Sequence, residues 1–403
     1  MLSTIIYRSH ITENVSLGLL HDLALKANKI NKSSSVTGIL LFNGTHFFQL
    51  LEGPEAAVKA VYNRICQDTR HHNLVELLRD YAPARRFGHV GMELFDLRLH
   101  DKETVLEAVL EKCTTRYQMT YSDRALQFLR TFVEAREKEN YFEIPSASGW
   151  TFIRDESEQR EGDAALMATD EVSFAFQPIV DPFACEIVSL EALLRGPQGE
   201  PPLDYFAGLS REQLYQTDLQ SKKIAFAQAK QLGIEGMTLS INLLPMTLVE
   251  VPDAVPFLLE AIAAQGLVPE QIMVEFTENE IISQPDAFEA ALRQLKAAGI
   301  SLALDDFGAG FAGLSLLTRI QPDKIKIDRA IISGVHKSGP KQAIIHAILK
   351  CCSSLEIGVI AEGIEQPEEW MWLEAAGVTQ FQGFLFSKPE LNRIAAVAWP
   401  ELL

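Results

Sequence analysis

Residues 301–328 read SLALDDFGAGFAGLSLLTRIQPDKIKID, and the rest of the chain is organised around them. The apolar run Ser301–Leu304 predicts a strand that delivers two adjacent carboxylates, Asp305 and Asp306. A glycine-rich loop and a short helix follow, and a second strand ends in Lys326, Ile327 and Asp328. Neighbours within a strand point to opposite faces, so both aspartates serve one site only if the second has already left the strand. Paired carboxylates at a strand end suit two divalent cations, which take oxygen ligands and tolerate a shared bridging acid. The alternative is that Asp306 caps the next helix and Asp305 is merely solvated.

Gly308, Gly310 and Gly313 also spell G-x-G-x-x-G between a strand and a helix, with Asp328 about twenty residues on, the pattern of a dinucleotide-binding turn. Two acids directly before the first glycine argue against it, because they would face the pyrophosphate that such a loop cradles. The glycines read instead as a loop beside a metal site, and an NAD-dependent enzyme is disfavoured.

Outward from this stretch, residues 172–386 hold eight strand-like segments: VSFAFQPI, CEIVSLEALL, MTLSINLL, QIMVEFTE, ISLALDD, DKIKID, GVIAEGIE and QFQGFLF. From the second onward they are separated by helical patterns such as LQSKKIAFAQAKQLG and AFEAALRQLKAAG. Alternation of β and α over about 230 residues predicts an α/β TIM-type barrel. The first connection, VDPFA, is shorter than the roughly ten residues of a parallel crossover, which makes the first strand antiparallel to the second.

In a barrel the C-terminal strand ends converge. Those ends carry Glu191, Asn242, Glu275, Asp305 with Asp306, Lys326, Glu362 with Glu365, and Gln382. With no histidine cluster or cysteine spacing among them, oxygen ligation points to Mg²⁺ or Mn²⁺ rather than zinc. Two such ions sharing a carboxylate suit phosphodiester hydrolysis. Lys326 would orient the attacking water or accept its proton; its alternative role is a salt bridge that relieves acidic crowding.

The segments EALLR at 191–195, SINLLP, EFTE, DDFGAGFAGLSLL, DKIKID, AEGIE and QGFLFSKP occur in the order of the EAL-domain phosphodiesterases, which residues 170–403 resemble. Members of that family hydrolyse cyclic di-GMP to linear pGpG with two metal ions. The resemblance implies that Glu191, Asn242, Glu275 and Asp305 ligate metal, with Asp305 bridging and Asp306 and Glu362 serving the second ion. It further implies that Lys326 addresses the water, Arg195 holds a substrate phosphate, Glu365 stabilises the glycine loop, Gln382 supports the water network, and the protein is a homodimer. Some domains of this kind bind cyclic di-GMP without cutting it and signal through a partner, which is the rival reading.

The N-terminal region has a different pattern. LSTIIY at 2–7 predicts a strand, 15–30 a helix, GILLF and HFFQLLEGP a hairpin around Asn43-Gly44, and Pro54 opens a second helix before NLVELL and HVGMELF. The order βαββαββ predicts a ferredoxin-like α+β domain. Tyr7, Asn31 and Gln49 are polar on faces that otherwise read as buried, and together they suggest a polar-lined slot for a planar heteroaromatic ligand. Singly, each has a plainer role: an amphipathic edge, a helix cap and a backbone contact.

IIYRS, the helix ending in KINK, VTGILLF, FFQLLEGP and DTRHHNLVELL resemble a BLUF domain, a blue-light sensor that binds flavin, FAD or FMN. The resemblance makes Tyr7 and Gln49 the photoactive pair, places Asn31 at the isoalloxazine edge and Arg70 and His71 towards the ribityl phosphate, and matches Met92 to the family's methionine. Val90 stands where many members have tryptophan.

Helical patterns at 101–113 and 122–138, with Asp101 and Ser122 as N-caps, join the two domains or cover the sensor sheet; the charged run 154–163 reads as a surface linker. The expected division is 1–97 sensor, 98–153 connecting helices and 154–403 barrel. A chain of 403 residues fits two domains. With 36 basic against 54 acidic residues and a net charge of -18, duplex nucleic acid is excluded as a partner. Cys66, Cys113, Cys185, Cys351 and Cys352 show no disulfide or metal spacing, and no apolar run reaches the roughly 18 residues of a membrane helix, so a cytoplasmic protein is expected. The combined expectation is a cyclic di-GMP phosphodiesterase regulated, and raised in activity, by blue light.

Overall fold

The structure is a computed structural model that describes residues 2–402 except 13–16, 83–84, 86, 88–89, 112–123, 135–143, 155–159, 162–171, 235, 278–283 and 310–312. Cys113, the Ser122 cap and the middle of the glycine loop lie outside the described residues. The chain divides into two compact units, residues 1–144 with 334–344, and residues 145–333 with 345–403.

The first unit contains β1 (Leu2–Ile11), α1 (Leu17–Ser33), β2 (Thr37–Phe42), β3 (His46–Pro54), α2 (Glu55–Cys66), β4 (His71–Ala82), β5 (Glu93–Asp96), α3 (Lys102–Glu111) and α4 (Arg124–Glu134). Its sheet has the order β4-β1-β3-β2-β5, as the ferredoxin-like pattern requires. The β2–β3 hairpin turns where Asn43 Oδ1 accepts the amides of Thr45 (3.1 Å) and His46 (2.8 Å), with Gly44 at φ 110°. Alternation along β1 sends Ile5 and Tyr7 into one core with α1 and α2, and Ile6 into another with α3 and α4. The amphipathic stripe of α4, Leu129, Phe132 and Val133, therefore covers the sheet's second face, and Phe132 stacks on Phe48 at 5.1 Å. Within this unit Arg8 Nη2 donates to Gln342 Oε1 at 3.1 Å.

The second unit begins with β6 (Trp150–Arg154), β7 (Arg160–Glu161), β8 (Ser173–Asp181), β9 (Glu186–Arg195), α5 (Pro202–Phe206), α6 (Arg211–Gln231), β10 (Thr238–Asn242), α7 (Thr247–Glu250), α8 (Ala254–Ala264), β11 (Ile272–Thr277), α9 (Pro285–Ala297) and β12 (Ser301–Phe307). It continues through α10 (Gly313–Ile320), β13 (Lys324–Ile327), α11 (Arg329–Ile332), α12 (Gly339–Ser354), whose first turns belong to the first unit, β14 (Gly358–Ala361), α13 (Pro367–Ala375) and β15 (Gln380–Phe381). Short strands β16 (Glu390–Leu391), β17 (Arg393–Ile394) and β18 (Ala398–Leu402) end the chain. Strands β8 to β15 form a closed eight-stranded barrel, sealed by the Phe381–Val180 pairing.

As the short VDPFA connection demands, β8 runs antiparallel to β9, and Asp181 Oδ1 secures the turn by accepting the amides of Phe183 and Ala184 at 3.1 Å. Ile179, Met273, Ala303 and Ile360 fill the barrel interior. One expectation is corrected: the charged run is not all unpaired linker, since Arg154 pairs with Ala398 and β7 pairs with β17. Strand pairing uses backbone groups, so charged side chains do not prevent it. Among the described residues no helix is long and apolar enough to cross a membrane.

Candidate functional site

The barrel site is built around Lys326. Its strand, β13, lies between β12 and β14 in the barrel, and the side chain is wholly buried at the strand's inward face. Its Nζ lies 2.6 Å from Glu362, 2.7 Å from Glu275, 3.1 Å from Glu191 and 3.5 Å from Asp305. Asn242 Nδ2 donates to Glu191 Oε1 at 2.7 Å, and Gln382 Nε2 to Glu191 Oε2 at 2.8 Å, while Gln177 Oε1 accepts from Gln382 at 3.1 Å. Each of the eight barrel strands, or the residue just after it, thus contributes one side chain to the same point.

The two aspartates reach it by a backbone irregularity. The β12–β13 register shifts between Leu304 and Phe307, and Asp306 takes a left-handed φ of 53° with its amide donating to Asp305 Oδ1 at 2.9 Å. This bulge cancels the alternation that would have sent the second carboxylate to the opposite face. Ligand oxygens of Glu191, Glu275 and Asp305 lie within 4.8 Å of one another, as do those of Asp305, Asp306 and Glu362, so Asp305 belongs to both groups. A cavity of about 290 Å³ opens over them.

Burial and the neighbouring charges together set the protonation pattern. Burial alone would depress the Lys326 ammonium, but Asp305, Glu191, Glu275 and Glu362 together hold its pKa well above the ordinary lysine value. Burial pushes Glu275 up to about 8 despite Lys326, and pushes Asp306 up to about 6 with help from the Asp305 charge. Glu362 is raised by burial as well, whereas at Glu191 burial is outweighed by Lys326 and the two amide donors, which keep it below the usual carboxylate range. The donor set fits hard cations: all ligand atoms are oxygens, and the buried Glu275 Oε1 and Gln382 Oε1 have no hydrogen-bond partner.

Among the described residues, Arg195 and Glu365 border this cluster without a hydrogen bond or ion pair to it. Arg195 shares the inward face of β9 with Glu191 and Leu193, yet its Nη1 donates to the Leu194 carbonyl at 2.8 Å. Glu365 Oε2 pairs with Arg329 Nη2 at 2.9 Å, and the glycine-loop residues 310–312 it was expected to meet lie outside the described residues.

In the first unit a cavity of about 300 Å³ lies between the sheet and α1 and α2. Tyr7, Asn31, Gln49, Arg70, His71 and Met92 all line it. Tyr7 and Gln49 are direct cross-strand partners, so both face it; the Tyr7 hydroxyl donates to Gln49 Oε1 and Gln49 Nε2 donates to Met92 Sδ at 3.2 Å. Burial, then the neighbouring Tyr62, raises the Tyr7 phenol well above its usual pKa, so it remains a donor. Asn31 Nδ2 donates to the Gly91 carbonyl at 2.8 Å, fixing the amide at the rim. Arg70 is held by Asp68, with Nε 2.8 Å from Oδ1.

Family models match residues 2–93 as "Sensors of blue-light using FAD" and residues 160–389 as "EAL domain". The chain belongs to the EAL family and carries a BLUF domain. This BLUF–EAL protein is 57% identical over 401 residues, with full coverage of both chains, to the blue light- and temperature-regulated antirepressor BluF of Escherichia coli. It superposes along its whole length on Klebsiella pneumoniae BlrP1 in a calcium and cyclic di-GMP complex, with TM-score 0.92 and 42% identity. Its barrel half also matches a standalone EAL protein from Vibrio cholerae in its cyclic di-GMP-bound form, at 35% identity and TM-score 0.54, covering 56% of this chain and 95% of that one.

Sequence reasoning missed Gln177 and Arg329 at the barrel mouth, noted Asp328 only as an acid at a strand end, and missed Lys26, Arg64 and Asp68 at the sensor cavity. Gln177 was detectable: it is an amide inside the mostly apolar strand pattern VSFAFQPI.

Proposed function

We propose that the chain is a blue-light-regulated phosphodiesterase that hydrolyses cyclic di-GMP to linear pGpG, in the cytoplasm and as a homodimer, with flavin (FAD or FMN) in the first unit and two Mg²⁺ or Mn²⁺ ions in the second. The observation that carries this reading is the pair of carboxylate triads sharing Asp305. Two bound cations would supply Lewis acidity towards water and the scissile phosphate. Glu191, Asn242, Glu275 and Asp305 would hold one, with Asp305, Asp306 and Glu362 holding the other. Lys326, protonated and pinned between four carboxylates, orients the attacking water, and Gln382 steadies Glu191.

In the sensor, Tyr7, Gln49 and Met92 form one hydrogen-bonded chain against the cavity. An amide between a phenol and a thioether has two orientations with different donors, so light that reorganises it changes the bonds offered to a bound flavin. Conversion of cyclic di-GMP to pGpG in Mn²⁺ tests the enzyme. The second reading, a receptor that acts through a partner, is favoured by the printed role of the Escherichia coli relative as an antirepressor; it is selected if the nucleotide is bound and recovered uncut.

A further inference from the structure

We infer that Arg329 is the substrate-positioning cation of the barrel site, binding the phosphate that is not cut; this rests on the cyclic di-GMP reading above. A cyclic dinucleotide carries two phosphodiesters on opposite sides of its ring. The metal ligands at the cavity floor account for one. The other meets a mouth lined by Asp328 and Glu365 besides the ligand acids, an environment that repels it.

Arg329 is the cationic residue among those described around this cavity. The Lys326 ammonium lies buried beneath, engaged by four carboxylates, and Arg195 is turned onto its own backbone. The position of Arg329 is constructed. Asp328 follows β13 directly and caps α11 by accepting the Ala330 amide at 2.8 Å, which fixes the first helical residue at the rim. Gly363, at φ 64° between the acids Glu362 and Glu365, leaves room for the arginine stem: a Cβ there would come within 2.7–2.9 Å of its Cβ, Cγ and Cδ. The side chain is 56% exposed and, among the described residues, its one ion pair is to Glu365, itself 40% exposed. A guanidinium held by one exposed carboxylate exchanges readily for a phosphate, which it grips with two parallel hydrogen bonds. Binding then releases Glu365 from the guanidinium.

The test is steady-state hydrolysis in Mn²⁺ of cyclic di-GMP and of bis(p-nitrophenyl) phosphate, which has a single phosphodiester, by the full-length wild type, Arg329→Gln and Arg329→Lys. For Arg329→Gln the KM for cyclic di-GMP is expected to rise about 10-fold or more while kcat changes little, with Arg329→Lys intermediate. The preference for cyclic di-GMP over the single diester, as a ratio of kcat/KM, should fall by a similar factor. An unchanged KM overturns the inference, and so does an equal loss of kcat on both substrates, which would place Arg329 in support of the metal ligands. If the wild type cuts the small diester but neither binds nor cuts cyclic di-GMP, the substrate reading itself fails, and that result is distinct from either.

Discussion

Removing the Lys326 ammonium takes the counter-charge from a buried acid cluster in which Glu191 and Asp305 remain beside Glu275 and Glu362, which burial already pushes towards the neutral form. Breaking a buried pair from one side costs about 3–5 kcal/mol, so Lys326→Met is expected to melt well below the wild type in EDTA. Mn²⁺ supplies the missing positive charge and should recover much of the difference; a variant whose melting is insensitive to Mn²⁺ would argue that the carboxylates do not form a cation site. Asp305→Asn keeps the shape and removes the charge common to both triads. Its turnover is expected to drop at least about 100-fold with the fold intact by circular dichroism, since a two-metal mechanism depends on the bridge; near wild-type rates at limiting Mn²⁺ would sink the assignment.

Tyr7 gives the pH prediction. Its folded pKa is raised above the unfolded value of about 10, so the phenol is neutral in both states below that pH and adds no pH dependence there. Above it the unfolded chain loses the proton while the folded one keeps it, and stability falls as pH rises. Blue light is expected to give a small reversible red shift of the bound flavin, and that shift should keep its amplitude from pH 7 to about 9.5 and vanish in Tyr7→Phe. A midpoint inside that range, or an unaltered shift in the variant, contradicts a protonated Tyr7 as the working donor.

At the scale of elements, two short segments set the site geometry. Gly383 follows Gln382 where β15 ends, and a Cβ at that position would lie 2.1 Å from the Ile364 carbonyl oxygen and 2.3 Å from its amide nitrogen. Both are backbone atoms in the loop carrying Glu362 and Glu365, so the clash cannot be relieved by a rotamer change. Gly383→Ala is expected to cost about 1–3 kcal/mol from overpacking and to displace Gln382 from Glu191, lowering kcat more than stability alone explains. A variant with wild-type kcat and melting would show that the two loops are looser than their contacts imply.

The same elements show what sequence conveys. The antiparallel β8 was legible because five residues cannot make a parallel crossover, and the acids at successive strand ends were legible because a barrel brings those ends together. The bulge that turns Asp305 and Asp306 to one side was not, since it resides in a φ of 53° that an aspartate adopts in context rather than by type. Arg329 was equally hidden: its place depends on Gly363 more than thirty positions away leaving space for its stem. In the sensor, strand alternation was enough to face Tyr7 and Gln49 into one cavity, whereas the charges Lys26 and Arg64 join them through tertiary packing that helix periodicity leaves open.

For the whole molecule, the flavin slot and the acid cluster belong to different units, so illumination changes hydrolysis only by biasing an element that makes different contacts in two states. The expected sign is activation: light raises turnover at saturating substrate and Mn²⁺, and Gln49→Glu, which alters the sensor's hydrogen bonds without touching the barrel, abolishes the difference. Equal rates in dark and light would leave the sensor acting on something other than this reaction, and a slower illuminated state would reverse the sign. The most direct measurement is the conversion of cyclic di-GMP by purified, flavin-loaded protein with Mn²⁺, followed in the dark and under blue light: the expected result is pGpG as product, formed faster under illumination and lost on adding EDTA, and the contradicting result is cyclic di-GMP recovered intact in both conditions.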